Sequence, residues 1–131
     1  MELFTAFDRA VASTADVVKA TPAGQMSAPT PCTQWDVRAL LTRVHVTPLG
    51  EMPGPALAGF TTLDILVHGW DLATATGQPA DLDGRLAAHV LGFAGQAITP
   101  DTRAPRIGPP LAVAPGAPVT HQLVAFLGRQ P

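Results

Sequence analysis

Three polar residues interrupt an otherwise apolar stretch, Thr61–Gln78, "TTLDILVHGWDLATATGQ". Leu63, Ile65, Leu66, Val67, Trp70, Leu72 and Ala73 give a helix that is apolar nearly all the way round, the pattern of one buried on most sides. Asp64, His68 and Asp71 follow one another at spacings of four and three, so on an α-helix they share one face. A carboxylate and an imidazole are costly to bury without partners. Three readings are open on spacing alone. Asp64 and His68 can direct an oxygen and a nitrogen at one divalent metal ion, with Asp71 fixing the imidazole from behind. The line can instead be a hydrogen-bond cluster without an ion, or it can face solvent. D-x-x-x-H supplies two donors, one fewer than a tight metal site needs.

The bulk composition narrows the classes. At 131 residues the chain has the length of one domain, able to bury a sizeable core. Eight Lys+Arg against ten Asp+Glu, a formal net charge of −2, leave no electrostatic footprint for nucleic acid or an acidic membrane surface. An apolar content of 47% argues against global disorder. A single cysteine, Cys32, excludes an internal disulfide framework and a cysteine-based zinc cluster. No apolar run reaches membrane-spanning length, and the first residues lack a signal-peptide pattern. The expectation is a soluble cytoplasmic protein.

The elements that must position the polar line are helical. Glu2–Ala20 places Phe4, Phe7, Val11 and Val18 at helical spacing. Thr21–Cys32 is a Pro-punctuated loop. Thr33 with Asp36 fits a capping box opening a short helix to about Val44, with Val37, Leu40, Leu41 and Val44 inward. The Asp/His helix starts near Pro55 and stops at Gly77. Asp81 or Asp83 can cap the next helix, which turns Leu86, Val90, Phe93, Ala94 and Ala97 inward. Residues 99–118 form a Pro/Gly-rich loop in which "PPLAVAP" can pair as a short strand, and Pro118 opens a last helix with Leu123, Phe126 and Leu127 inward. The sum is an all-α, single-domain, antiparallel helical bundle of four or five helices over residues 1–131.

Three segments carry a family resemblance: "TPCTQWDVRALL" (Thr30–Leu41), "PLGEMPGPALAGFTTLDILVHGWDLATATGQ" (Pro48–Gln78) and "LVAFLGR" (Leu123–Arg129). Together they resemble the bacterial metal-binding proteins similar to the mycothiol-dependent maleylpyruvate isomerase, within the DinB/YfiT-like four-helix bundles. The resemblance implies a bundle with a central divalent metal, usually zinc or nickel. Its ligands would be a histidine from the second helix and an acid and a histidine four apart on a later one. Asp64 and His68 match the later pair. Open positions on such an ion hold water or a thiol-bearing substrate, and the implied activity is that of a thiol (mycothiol)-dependent isomerase or transferase.

The chain departs from the family where the first histidine belongs, eight residues after Trp35: that position is Arg43. His45 is near, but two residues along a helix turn a side chain by roughly 200°. "VHVTPLGEMPG" (Val44–Gly54) matches the segment just before the Asp/His helix, so the second helix jumps there directly, as after an internal deletion. The deletion would remove the rest of that helix, one further helix and the first ligand. A bundle lacking a helix leaves apolar faces uncovered, part of "ILVHGW" included, and the expected occupant is a second copy of the chain. The expected metal set is Asp64, His68 and His45, the last reaching in from its loop. The alternative is a shortened, catalytically silent relative acting as an oligomerisation or partner-binding module. Trp35 and Trp70 read as core or interface aromatics, His89 and His121 as structural or exposed, Glu51 as solvated and Cys32 as an inert loop thiol.

Overall fold

The computed structural model describes residues 1–43 and 54–131. His45, Val44 and Glu51 lie outside the described residues, as does the side chain of Arg43. The described chain is all-α, and no helix in it is long and apolar enough to cross a membrane. It divides into two compact units, Met1–Asp81 and Leu82–Pro131.

The first unit contains α1 (Leu3–Ala20), a 3₁₀ turn (Ala23–Gln25), α2 (Val37–Arg43) and α3 (Gly54–Ala75). Helix α1 packs along α3. Its inward face is Ala6, Ala10 and Thr14, while Val11 and Val18 are exposed, contrary to the face expected from hydropathy. The reason is steric. Thr14 Oγ1 donates to the Ile65 carbonyl at 2.9 Å, and a Cβ at Gly69 would overlap the Thr14 hydroxyl and stand 3.2 Å from its Cγ2. At so close an approach, small side chains fit and valine does not, so shape outweighs apolar area in choosing the face. Gln78 Nε2 donates to the Val17 carbonyl at 3.2 Å, so contacts advance together along both helices and they run in the same sense.

Helix α2 starts at Val37, not at Thr33. Backbone pairing explains the delay: Val37 N donates to Ala28 O at 3.0 Å and Arg38 N to Met26 O at 2.9 Å, with an isolated bridge between Pro29 and Asp36. These contacts use donors that an earlier helical turn would need elsewhere, and they fold residues 30–35 into a tight excursion. Asp36 is then the cap itself, accepting from Ala39 N at 2.8 Å. Val37 and Leu40 are fully buried with Leu72 of α3, and Val17, Met26, Ala28, Trp35, Leu41 and Ala75 pack around them.

Helix α3 ends in a Schellman arrangement: Gly77 has φ 68°, Gln78 N donates to Ala73 O at 2.9 Å and Gly77 N to Thr74 O at 3.4 Å. Its apolar residues Leu63, Leu66, Val67, Trp70, Leu72 and Ala73 are all buried. Of the "ILVHGW" segment, expected to be uncovered in part, Ile65 is half-buried and the rest buried, and among the described side chains of this unit's helices the exposed large apolar ones are Val11 and Val18 of α1.

The second unit pairs α4 (Gly84–Ala97) with α6 (Val119–Phe126). Asp83 caps α4 by accepting from Leu86 N at 2.9 Å, and Leu86, Ala87, Val90 and Ala94 are buried. The expected loop after α4 contains one helical turn, α5 (Pro100–Arg103), opened by a reciprocal Thr99–Thr102 capping box with Pro100 in its first turn. "PPLAVAP" forms no strand; Leu111 N donates to Ala125 O at 2.9 Å, so the segment is held by a helix end. Arg103 fastens the turn, donating to Gly108 O at 2.8 Å and Phe126 O at 2.6 Å with its guanidinium over the Phe126 ring.

Gly69→Ala is expected to destabilise the chain despite gaining roughly 1 kcal/mol of helix propensity, because overpacking costs about 1–3 kcal/mol. Adding Thr14→Ala should recover part of the loss, a non-additive pair in urea denaturation. A Gly69→Ala variant more stable than the parent chain would contradict the close α1–α3 approach.

Candidate metal centre

The polar line of α3 is buried, as its apolar surroundings require. His68 is 8% exposed and Asp71 0%, and the Asp64 side chain keeps 34% of its surface in solvent. The solvent-facing reading is thereby set aside for His68 and Asp71. Helical spacing places one carboxylate at each edge of the imidazole: Asp64 Oδ1 lies 3.3 Å from Nε2 and Asp71 Oδ2 3.0 Å from Nδ1. The Trp35 ring, tilted 45°, lies with its centroid 4.9 Å from that of the imidazole.

This arrangement sets a proton count. A neutral imidazole carries one N–H and one lone pair. It can donate to one carboxylate only, and its lone pair would then face the oxygen of the other. Both contacts are attractive together when a second proton or a metal cation occupies the remaining edge. Burial pushes the His68 pKa down, but the hydrogen bonds and charges of Asp64 and Asp71 outweigh it and leave the imidazole above its ordinary value. The shift favours the protonated ring, which can donate at both edges.

A third donor comes from the excursion before α2. Thr30 Oγ1 donates to the Trp35 carbonyl at 2.7 Å and also lies 3.0 Å from Cys32 O, while Cys32 N donates to it at 3.2 Å. One hydroxyl thus organises the loop that carries both Cys32 and Trp35 to His68. The Cys32 thiol, an imidazole nitrogen of His68 and a carboxylate oxygen of Asp71 all lie within 4.8 Å of one another, the three-donor group found among the described residues.

Asp64 and His68 are thus brought together as their spacing predicts, with Asp71 against the ring as expected. His45 lies outside the described residues. His89 and His121 belong to the second unit, half-buried and exposed respectively. Sequence reasoning, which read Cys32 as an inert loop thiol, did not place it near His68 and Asp71, nor Trp35 against the imidazole. The available signal was local: Thr30 and Pro31 directly before Cys32 mark a side-chain-bonded turn, and α2, which packs on α3, follows directly.

No family model matches the chain, and no solved structure matches it. Two uncharacterized proteins of Mycobacterium tuberculosis, one from strain CDC 1551 / Oshkosh and one from strain ATCC 25618 / H37Rv, are similar to it. Each is 46% identical over 86 residues, covering 63% of this chain and 46% of the relative. The chain spans about half the length of the curated relatives it matches.

The proton count makes the metal-free chain pH-dependent. Folded His68 holds its proton above the value of about 6.5 for an unfolded histidine. Its stabilising contribution is therefore fully present below about pH 6.5 and is lost as pH rises through the folded value. Urea denaturation with a chelator present should show stability falling with pH above about 6.5, with a shallower fall in His68→Asn. An identical slope in both chains would remove His68 as the cause.

Proposed function

We propose that this chain is a divalent-metal-binding helical protein whose ion is held at His68, between the two carboxylates of α3. The supporting observation is the imidazole flanked at 3.3 and 3.0 Å by carboxylates that one neutral ring cannot satisfy together. A cation at one edge, with the N–H of the other edge donated to its carboxylate, satisfies all three groups. The 3.3 Å separation at Asp64 is already that of two donors on one ion, since tetrahedral bonds of about 2.0–2.2 Å place neighbouring donor atoms roughly 3.3 Å apart, and the 3.0 Å contact at Asp71 is a hydrogen bond that would open slightly to admit one. The resemblance to the mycothiol-dependent isomerase-like proteins adds to this reading and gives the ligand roles to Asp64 and His68. Their chemistry would be thiol-dependent isomerisation or transfer, in which the bound metal acts as a Lewis acid toward water or a substrate thiol.

Within that reading, the residues of this chain have separable tasks. His68 supplies the nitrogen donor, one carboxylate shares the ion, and the other fixes the ring's tautomer and direction. Trp35 lies against the imidazole beside them. The alternative, a shortened and catalytically silent relative serving as an oligomerisation or partner-binding module, draws on Arg43 standing where the resemblance implies a histidine.

Metal analysis separates the two. Purified protein is expected to keep one equivalent of zinc or nickel through extensive dialysis. His68→Ala should release it, and Asp64→Ala should weaken binding by at least about tenfold. No retained metal, together with unchanged zinc affinity in both variants, would leave the silent module as the reading.

A further inference from the structure

A third protein donor decides which edge of His68 takes the ion. A site with two protein ligands is weak, and zinc sites that act on substrates use three with one position open. Asp64 meets Nε2 at 3.3 Å, but among the described residues the three-donor group is built at Asp71: Cys32, His68 and Asp71. Two of its members, His68 and Asp71, are buried, and Cys32 is half-buried.

We propose that the Cys32 thiolate, the His68 imidazole and the Asp71 carboxylate are the three protein ligands of the ion, and that Asp64 is the outer carboxylate, accepting from Nε2–H. This inference rests on the metal reading and reverses the roles that helix spacing and the resemblance give to the two acids. Cys32 then fills the place that the family gives to a histidine at position 43 and that His45 was expected to take.

The chemistry of the set supports the assignment. Asp71 is fully buried while Asp64 keeps a third of its surface in solvent, so the group at Asp71 lies in the drier part of the site, where a cation–carboxylate contact is screened least. Sulfur, nitrogen and oxygen donors together favour zinc-class ions over magnesium or calcium. Donor atoms around such an ion stand roughly 3.3–3.8 Å apart for bonds of about 2.0–2.3 Å. The group is held within 4.8 Å, so closure needs the thiol to shift by about 1–1.5 Å at most, with His68 Nδ1 and Asp71 Oδ2 opening slightly from their 3.0 Å hydrogen bond. Cys32 can supply it by rotation about one side-chain bond while Thr30 holds its backbone. Three protein donors leave a fourth position open, on which a small thiol or water can bind.

The test uses cobalt(II) added to the full chain after chelation, in buffer free of other thiols. Cys32 is the chain's single cysteine, so a thiolate-to-cobalt charge-transfer band in the near ultraviolet can arise from it alone. The expected result is that band at one cobalt per chain, with zinc protecting the unmodified chain's thiol from iodoacetamide. Cys32→Ala and Asp71→Asn should each lower cobalt affinity at least tenfold, and Cys32→Ala should abolish the band. Asp64→Asn should keep it with a smaller loss. Cobalt bound without the band, and zinc giving no protection, overturn the role of Cys32 while leaving metal binding at His68 in place. A band that survives Asp71→Asn at full affinity but collapses in Asp64→Asn overturns the exchange of acids. Failure of the unmodified chain to bind either ion overturns the metal reading itself. Neither that result nor the protection assay depends on a variant folding.

Discussion

Everything in the first unit is arranged around one electrostatic constraint: a buried imidazole between two carboxylates needs a positive charge more than its neutral form provides. His68 and Asp71 have almost no contact with solvent, while Asp64 keeps a third of its side-chain surface in water. A proton on the imidazole supplies that charge, and so would the proposed metal ion. The two would compete for the same lone pair. The hydrogen-bond cluster and the proposed metal centre are thus two occupancies of one site, with a proton in one and an ion in the other at the same edge of the ring.

Holding that constraint requires α3 to be buried on nearly every side, and the close approach of α1 makes this possible. Ala6, Ala10 and Thr14 present a low surface to α3, and Gly69, next to His68 in the chain, accepts it. Thr14 also gives its hydroxyl proton to the Ile65 carbonyl one turn before Gly69. The contact leaves α3 with its polar line turned toward the loop before α2. That loop is held by its own hydrogen bonds, with Thr30 at its centre and Asp36 closing it as the cap of α2. Packing of α2 on α3 through Val37, Leu40 and Leu72 then sets Cys32 and Trp35 beside the imidazole.

The second unit is built by different means. Two of its helices, α5 and α6, are short, and side-chain caps and carbonyl-binding groups close the helix ends: Asp83 on α4, the Thr99–Thr102 pair on α5 and Arg103 on the carbonyls of Gly108 and Phe126. Short helices gain little from cooperative propagation, so such end contacts and a packed face provide their stability. His89 and His121 lie here, and neither belongs to the three-donor group.

The sequence by itself determined what depends on neighbours along the chain. Helical spacing put Asp64, His68 and Asp71 in one line, Gly77 stopped α3, and an aspartate at 81 or 83 capped α4, because each is set within a turn or two. Tertiary structure alone decided the rest. Val11 and Val18 have the hydropathy of a buried face, yet Ala6, Ala10 and Thr14 take it, since fit against Gly69 depends on a partner helix 50 residues away in the chain. Thr33 and Asp36 have the spacing of a capping box, but pairing with Met26 and Ala28 moved the helix start to Val37. Cys32 reads locally as a plain loop thiol. Its place beside His68 and Asp71 comes from the packing of α2 on α3, a contact that no local pattern encodes.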